Sequence, residues 1–236
     1  MTPPTNDSET LRRILTNTDA LLLDFDGPIC SVFSGIPAAL VANQLRAVLA
    51  EGGYTDLPED VRTAEDPFDV LFYAAKLGQD EARFVEAAFR AHEVEAVQSA
   101  QPTPSSTEFM RAWKATGRPL AVVSNNSVAA VETYLDIHDL RADVTHVSAR
   151  ASADVSLLKP SPFLVVDTVS VLTTTASRCA LIGDSVTDIQ ASRAAQVTAI
   201  GYANKPGKTE HFEATGVDLV ITRIDLLLAT LRTPGQ

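Results

Sequence analysis

Two short apolar runs, far apart in the chain, each stop at a pair of aspartates. Leu21-Leu22-Leu23 runs into Asp24-Phe25-Asp26-Gly27, and Leu181-Ile182-Gly183 runs into Asp184-Ser185-Val186-Thr187-Asp188. Runs this short, bounded by turn formers, read as buried strands rather than helices. If the two are neighbours in a parallel sheet, four carboxylates converge at one sheet edge. Such a cluster repels itself unless a cation sits in it. That constrains the chain to a fold that gathers strand ends, and it points to a hard divalent metal and chemistry on a phosphate.

Further runs of the same kind fall at 120–123, 144–147, 198–201 and 219–222, with the two aspartate-ending runs at 20–23 and 179–182. Amphipathic stretches separate them. This alternation predicts βαβ units: an α/β, Rossmann-like, doubly wound parallel sheet covered on both faces. Ser161-Pro162 reads as an N-cap and first turn for a helix over 163–172, Ser127 as a cap for 128–135, and Gly117 as the end of a helix over 106–116. The lone Trp113 is expected against the sheet. Residues 34–100 contain no convincing strand; helical spacing appears at 36–50, 67–76 and 81–97. The predicted organisation is an α/β core of residues 1–33 and 101–236 with an all-helical cap domain, 34–100, inserted after the first strand. Ser34-Gly35 and 101–104 are the expected hinges.

With 30 acidic and 19 basic residues the net charge is −11, which argues against nucleic acid or an anionic membrane surface as partner. Cys30 and Cys179 are not in a paired motif and read as buried thiols. Neither a signal peptide nor an apolar span is visible, so a cytoplasmic location is the expectation. The expected state is a monomer or weak homodimer.

In a doubly wound sheet, ligands bind outside the carboxyl ends of the strands. There the sequence places Asp24 and Asp26, Ser124 and Asn125, Lys159, and Asp184 and Asp188. The set suits phosphoryl transfer, which needs a placed nucleophile, a metal and donors for spreading negative charge. These segments, in this order, resemble the four motifs of the haloacid dehalogenase-like hydrolase superfamily. Asp24-Phe25-Asp26-Gly27 is similar to the nucleophile loop, and Val122-Val123-Ser124-Asn125 to the second motif. Lys159 in Leu158-Lys159-Pro160 is similar to the third, and Gly183 through Asp188 to the metal-binding acids. The chain looks like the phosphatase branch with a small helical cap, near phosphoglycolate phosphatase and β-phosphoglucomutase.

The resemblance implies a Mg²⁺-dependent phosphomonoester hydrolase acting through an aspartyl-phosphate on a small phosphorylated metabolite. Asp24 would be the nucleophile and Asp26 the general acid and base. Asp24, Asp184 and the Asp26 main-chain carbonyl would ligate Mg²⁺, with Asp188 supporting. Gly27, Ser124, Asn125 and Lys159 would hold the phosphate. An acid at 26 suits a phosphate ester, whose alkoxide needs a proton, rather than a carbon–halogen or phosphonate bond. Two alternatives stay open: a hexose-phosphate mutase, which would keep Asp26, and a non-catalytic phospho-ligand-binding module. Pro28 departs from the family's usual Thr or Val and, having no N–H, cannot donate to a phosphate oxygen. Arg46, Arg62, Lys76, Arg83, Arg90 and His92 are the polar candidates for substrate contact from the cap, and Phe33 for the entrance.

Overall fold

Burial on both faces explains why the strands read as unbroken apolar runs. The computed structural model describes residues 3–232. Its strands are β1 (Ala20–Leu23), β2 (Cys30–Ser31), β3 (Gln101–Pro102), β4 (Leu120–Ser127), β5 (His146–Arg150), β6 (Cys179–Gly183), β7 (Thr198–Tyr202) and β8 (Leu219–Ile221). Six of them form one parallel sheet in the order β5-β4-β1-β6-β7-β8. All four β1 residues are buried. Leu21 and Leu23 pack into one hydrophobic cluster with Val122, Ile182 and Trp113, while Ala20 and Leu22 pack into another with Val123, Leu181 and Val165. Strand period two therefore sends alternate side chains to opposite helical layers. Trp113 is fully buried and donates its indole N–H to Pro119 O, 3.0 Å away.

β1 lies between β4 and β6, with Leu23 opposite both Val122 and Ile182. The two aspartate-ending runs are thus direct neighbours in a parallel sheet. The order reverses direction at β1, and the crevice at such a switch point is where doubly wound sheets bind ligands.

Between β2 and β3 the chain leaves the sheet for a helical insertion. Of its helices Ala38–Glu51, Glu59–Arg62, Pro67–Leu77 and Gln79–Ala96, the three longer ones pack around their own apolar cluster of Leu45, Leu71, Val85 and Phe89, among others. The strands entering and leaving pair antiparallel, Cys30 with Pro102 and Ser31 with Gln101. The Ser34 hydroxyl accepts from Gln101 N at 2.9 Å. The two expected hinge segments are therefore tied to each other.

Local expectations fail in instructive places. The strand expected at 144–147 is displaced to His146–Arg150, because Arg150 is buried by ion pairing and gives no apolar signal. β4 runs past Val123 to Ser127 with a register shift between Ser124 and Ser127. The helix Phe163–Val171 has Pro162 at its N-cap position, and the Ser161 hydroxyl one residue earlier accepts from Phe163 N at 3.4 Å. Ser127 does cap the helix Val128–Ile137, accepting from Ala130 N. Helices Ser8–Asn17, Lys208–Glu213 and Asp225–Arg232 carry no expectation from the sequence. Residues 4–6 lie along β8, with Val220 N donating to Pro4 O and Asn6 N to Val220 O. This covers an otherwise open sheet edge. No helix among the described residues is long and apolar enough to cross a membrane.

Candidate active site

Two glycines make room for the acids to converge. Gly27 has φ +102°, and a Cβ there would sit 2.4 Å from Asp184 Cγ. A Cβ on Gly183 would sit 2.3 Å from the Asp188 carboxyl carbon. Each glycine sits beside an aspartate of the other pair or its own, and a side chain at either would push a carboxylate away. One oxygen each from Asp24, Asp184 and Asp188 lies within 4.8 Å of the others. This all-oxygen donor set fits a hard divalent cation.

Asp24 follows β1, with its main-chain N–H donating to Ile182 O at 2.9 Å. Its Oδ1 accepts from Phe25 N at 2.7 Å and faces Lys159 Nζ at 2.8 Å. Burial, and then Asp188, push the Asp24 carboxyl well above the ordinary range, against the pull of Lys159. A divalent cation among these oxygens would reverse that balance. Lys159 is buried between two carboxylates, with Asp188 Oδ1 at 2.5 Å, and also donates to Val123 O at 3.0 Å. Burial alone would lower its pKa, but Asp188 and Asp24 outweigh that and hold it above the usual lysine value.

Asp188 is fully buried, and its second oxygen accepts from Ser185 N at 3.0 Å and Ser185 Oγ at 2.6 Å, a capping box at the start of the helix Val186–Ala194. Both its oxygens are thus engaged by protein. Asp26 lies off this cluster: its Oδ1 accepts from Val32 N at 2.9 Å. Burial raises its carboxyl to about 6, a pull only partly offset by that hydrogen bond.

The remaining expected residues are nearby, with different partners from those foreseen. The Gly27 amide donates to Cys30 O at 2.7 Å and is not free for a phosphate; Gly27 serves the site through the space it leaves. Asn125 pairs its side chain with the Lys159 backbone, accepting from Lys159 N at 2.8 Å and donating to Lys159 O at 3.0 Å. It positions the lysine. Ser124 is buried, and its hydroxyl bonds Asn126 at both the side-chain oxygen and the main-chain N–H. Beyond Pro28, the loop is fastened by Thr103, whose hydroxyl donates to Gly27 O at 2.5 Å, and by Ser106, whose hydroxyl donates to Ile29 O at 3.0 Å.

Sequence reasoning missed two groups. Lys208 donates to Asp184 O at 2.8 Å and pairs with Asp184 Oδ2, which also accepts from Asn204 Nδ2 at 3.0 Å. Nothing in the sequence singles out the lysine that opens the short helix Lys208–Glu213 after β7. The second group ties the insertion to the core. Arg150 at the end of β5 pairs with Glu86 at 2.6 Å and Glu93 at 2.5 Å, both on the helix Gln79–Ala96, and donates to Asn125 O at 3.1 Å. Glu93 also accepts from Asn126 Nδ2 at 3.0 Å and Ser127 N at 3.1 Å. The loop that carries Ser124 is therefore braced by a carboxylate from the insertion.

A cleft of about 500 Å³ opens over Asp24, Asp26, Lys159 and Asp184. Its other wall comes from the insertion, with Phe68, Phe72, Glu65 and Asp66, and from Phe33 at the junction with the core. None of Arg46, Arg62, Lys76, Arg83, Arg90 or His92 lines it. Arg46 instead binds the carbonyls of Val61 and Ala64, at 3.0 and 2.8 Å. The other arginines and His92 face carboxylates on their own helices.

A family model described as haloacid dehalogenase-like hydrolase matches residues 18–196. The chain belongs to that family. The match spans β1 through the helix after β6, and so includes every acid of the site. Among solved structures, a predicted phosphoglycolate phosphatase from Haemophilus somnus has the same fold, with TM-score 0.66 at 20% identity over 92% of this chain and 99% of that one. A hydrolase of the family from Deinococcus radiodurans, solved with bound phosphate and sodium, is 25% identical, with TM-score 0.58 over 93% and 99%. The bifunctional riboflavin kinase/FMN phosphatase of Arabidopsis thaliana is 28% identical over 125 residues, 53% of this chain. That stretch is 32% of the Arabidopsis protein, so the likeness spans about a third of its length.

Proposed function

We propose that this haloacid dehalogenase-like hydrolase is a Mg²⁺-dependent phosphatase of small phosphomonoesters that works through an aspartyl-phosphate. The observation that carries the reading is the pairing of Asp24, fixed on the cleft floor by Phe25 N and Lys159, with Asp26, a separate carboxyl held off the cluster near pKa 6. With a cation among the acids Asp24 would be the carboxylate that attacks, while Asp26, its pKa raised toward neutrality by burial, could give up and take back a proton, the division of labour that acid–base chemistry on one fold requires.

In this reading Asp24 attacks phosphorus and the ester oxygen leaves with a proton from Asp26. Asp26 then takes a proton from water, which attacks the phosphorus of the acyl-phosphate and frees Asp24. Lys159 restrains Asp24 and offsets its charge, and Asn125 and Asp188 restrain Lys159. Ser124 stands at the loop where a phosphate oxygen would seat. Mg²⁺ would be held by Asp24, Asp184 and the Asp26 main-chain carbonyl. It would supply counter-charge to the phosphoryl oxygens. Residues 34–100 would act as the cap over the core formed by 1–33 and 101–236. Closure of that cap would exclude water from the cleft.

Release of inorganic phosphate from p-nitrophenyl phosphate, with and without Mg²⁺, tests the reading. It should require the metal and should vanish in Asp24→Asn. Full activity in Asp24→Asn would refute the nucleophile. The Arabidopsis relative is by its name an FMN phosphatase, so FMN belongs in the panel of metabolite phosphates assayed next.

A further inference from the structure

The floor and roof of the cleft both carry carboxylates, but only the floor adds a cation and only the roof adds aromatic rings. On the floor, Lys159 is the lining cation, and it already stands between Asp24 and Asp188. The roof contributes aromatic rings and carboxylates. Phe68 meets Phe89 edge-on with centroids 4.9 Å apart, Phe33 stacks on Phe89 at 6.5 Å, and Phe72 follows Phe68 at 6.3 Å. Phe89 is fully buried and carries the Arg150 guanidinium over its ring at 4.8 Å. The lining rings are therefore buttressed from behind. Beside them stand Glu65 and Asp66, Asp66 also capping the helix Pro67–Leu77 by accepting from Phe68 N at 2.9 Å.

All six basic candidates of the insertion lie outside the lining. Lys208 is bound to Asp184 on the core side, and Lys205 lies near enough to pull on Asp26. A substrate bound with its phosphate at Asp24 directs its leaving group at this roof. A leaving group bearing a carboxylate or second phosphate would meet the solvent-facing carboxylates of Glu65 and Asp66 with no cation lining that wall of the cleft, and like charges repel. A flat, uncharged or cationic group would meet ring faces and hydrogen-bond acceptors.

We infer that Phe68, Phe72, Glu65 and Asp66 select phosphomonoesters whose leaving group is a flat ring alcohol without negative charge, and that they reject those with a second anionic group. The inference rests on the phosphatase reading above and narrows its substrate class. It sets phosphoglycolate and sugar bisphosphates outside that class.

Matched probes test it: benzyl phosphate, 4-carboxybenzyl phosphate and 4-(aminomethyl)benzyl phosphate share one ring and differ only in charge. The wild-type kcat/KM for benzyl phosphate should exceed that for the carboxy analogue by about tenfold or more. The amino analogue should be turned over at least as well as benzyl phosphate. The Glu65→Gln/Asp66→Asn double variant should compress the carboxy ratio to within about threefold; Asn keeps the helix cap. Phe68→Leu should raise KM for benzyl phosphate more than it lowers kcat. Equal turnover of benzyl and carboxybenzyl phosphate by the wild type, or a ratio unmoved by the double variant, would overturn the inference while leaving the phosphatase reading standing. No phosphate release from any of the three, nor from p-nitrophenyl phosphate with Mg²⁺, would overturn both.

Discussion

Two buried cations in this protein each sit between two carboxylates, and they do different things. Lys159 lies between Asp24 and Asp188 under the cleft. Arg150 lies between Glu86 and Glu93, where the insertion meets the core. The Arg150 cluster is closed: its guanidinium forks to both glutamates and a carbonyl, and Arg90 approaches Glu86 at 3.6 Å. Two carboxylates there face two cations. The Lys159 cluster opens on the cleft and carries a surplus of acids, with Asp24, Asp184 and Asp188 set against Lys159 and Lys208 and Asp26 standing beside them. A balanced, sealed ion cluster is architecture; an unbalanced one facing a cavity is set up for a cation and an anionic substrate. Residue choice follows the same line, since arginine's rigid fork suits fixed pairing and lysine's point charge suits a site where charge is redistributed.

Breaking each cluster should therefore have different readouts. The largest expected effect is in the Lys159 cluster. Asp24→Asn should cut phosphate release by on the order of 10⁴-fold or more, as loss of a covalent nucleophile does. Its Tm should stay level or rise, because one member of a crowded acid cluster is neutralised. A fall in Tm that matched the activity loss would make Asp24 a structural residue.

Asp26→Asn should cost roughly 10²- to 10⁴-fold with an alkyl phosphate, whose leaving oxygen needs a proton. With p-nitrophenyl phosphate, whose leaving group needs none, the loss should be markedly smaller. An equal loss with both esters would remove Asp26 from the acid role.

Arg150→Met leaves Glu86 and Glu93 buried without their partner. It should destabilise the protein by about 3–5 kcal/mol in denaturant titrations. Adding Glu93→Gln should recover part of that loss. A neutral Arg150→Met would show that the interface is held by its aromatic contacts alone.

The smallest effect is on pH and metal. The Asp26 carboxyl, near 6 in the fold, stands above its ordinary value of 3.8. The folded metal-free protein therefore binds more protons than the unfolded chain between those values. Its stability should fall as pH rises from about 4 through 6. Saturating Mg²⁺ should raise Tm at pH 7 by several degrees, since a ligand at about 100 times its Kd adds about 2.7 kcal/mol. A Tm indifferent to Mg²⁺ would contradict the metal site.

The legibility of the two clusters in the sequence follows the same division. The acids of the cleft announce themselves because each ends an apolar strand: Asp24 after 20–23 and Asp184 after Cys179–Gly183. Pattern and chemistry coincide there. Arg150 leaves no such trace. Its partners lie 57 and 64 residues away, and a buried arginine inside β5 reads as a polar break in a strand. The same blindness makes the basic residues of the insertion look like substrate contacts, although the four arginines and His92 have nearby carbonyls or carboxylates as partners. The Gly27 amide was misread for a similar reason, since its acceptor, Cys30 O, depends on a turn that composition does not specify.

The reach of Glu93 into the Ser124 loop limits how this enzyme could be recombined. A chimera whose replacement for residues 34–100 lacked a carboxylate at the Glu93 position would leave Arg150, Asn126 and Ser127 without the group they close around. Specificity could instead be exchanged in a smaller unit, the Glu65–Phe72 stretch of the roof, with the Gln79–Ala96 helix left in place as part of the catalytic chassis.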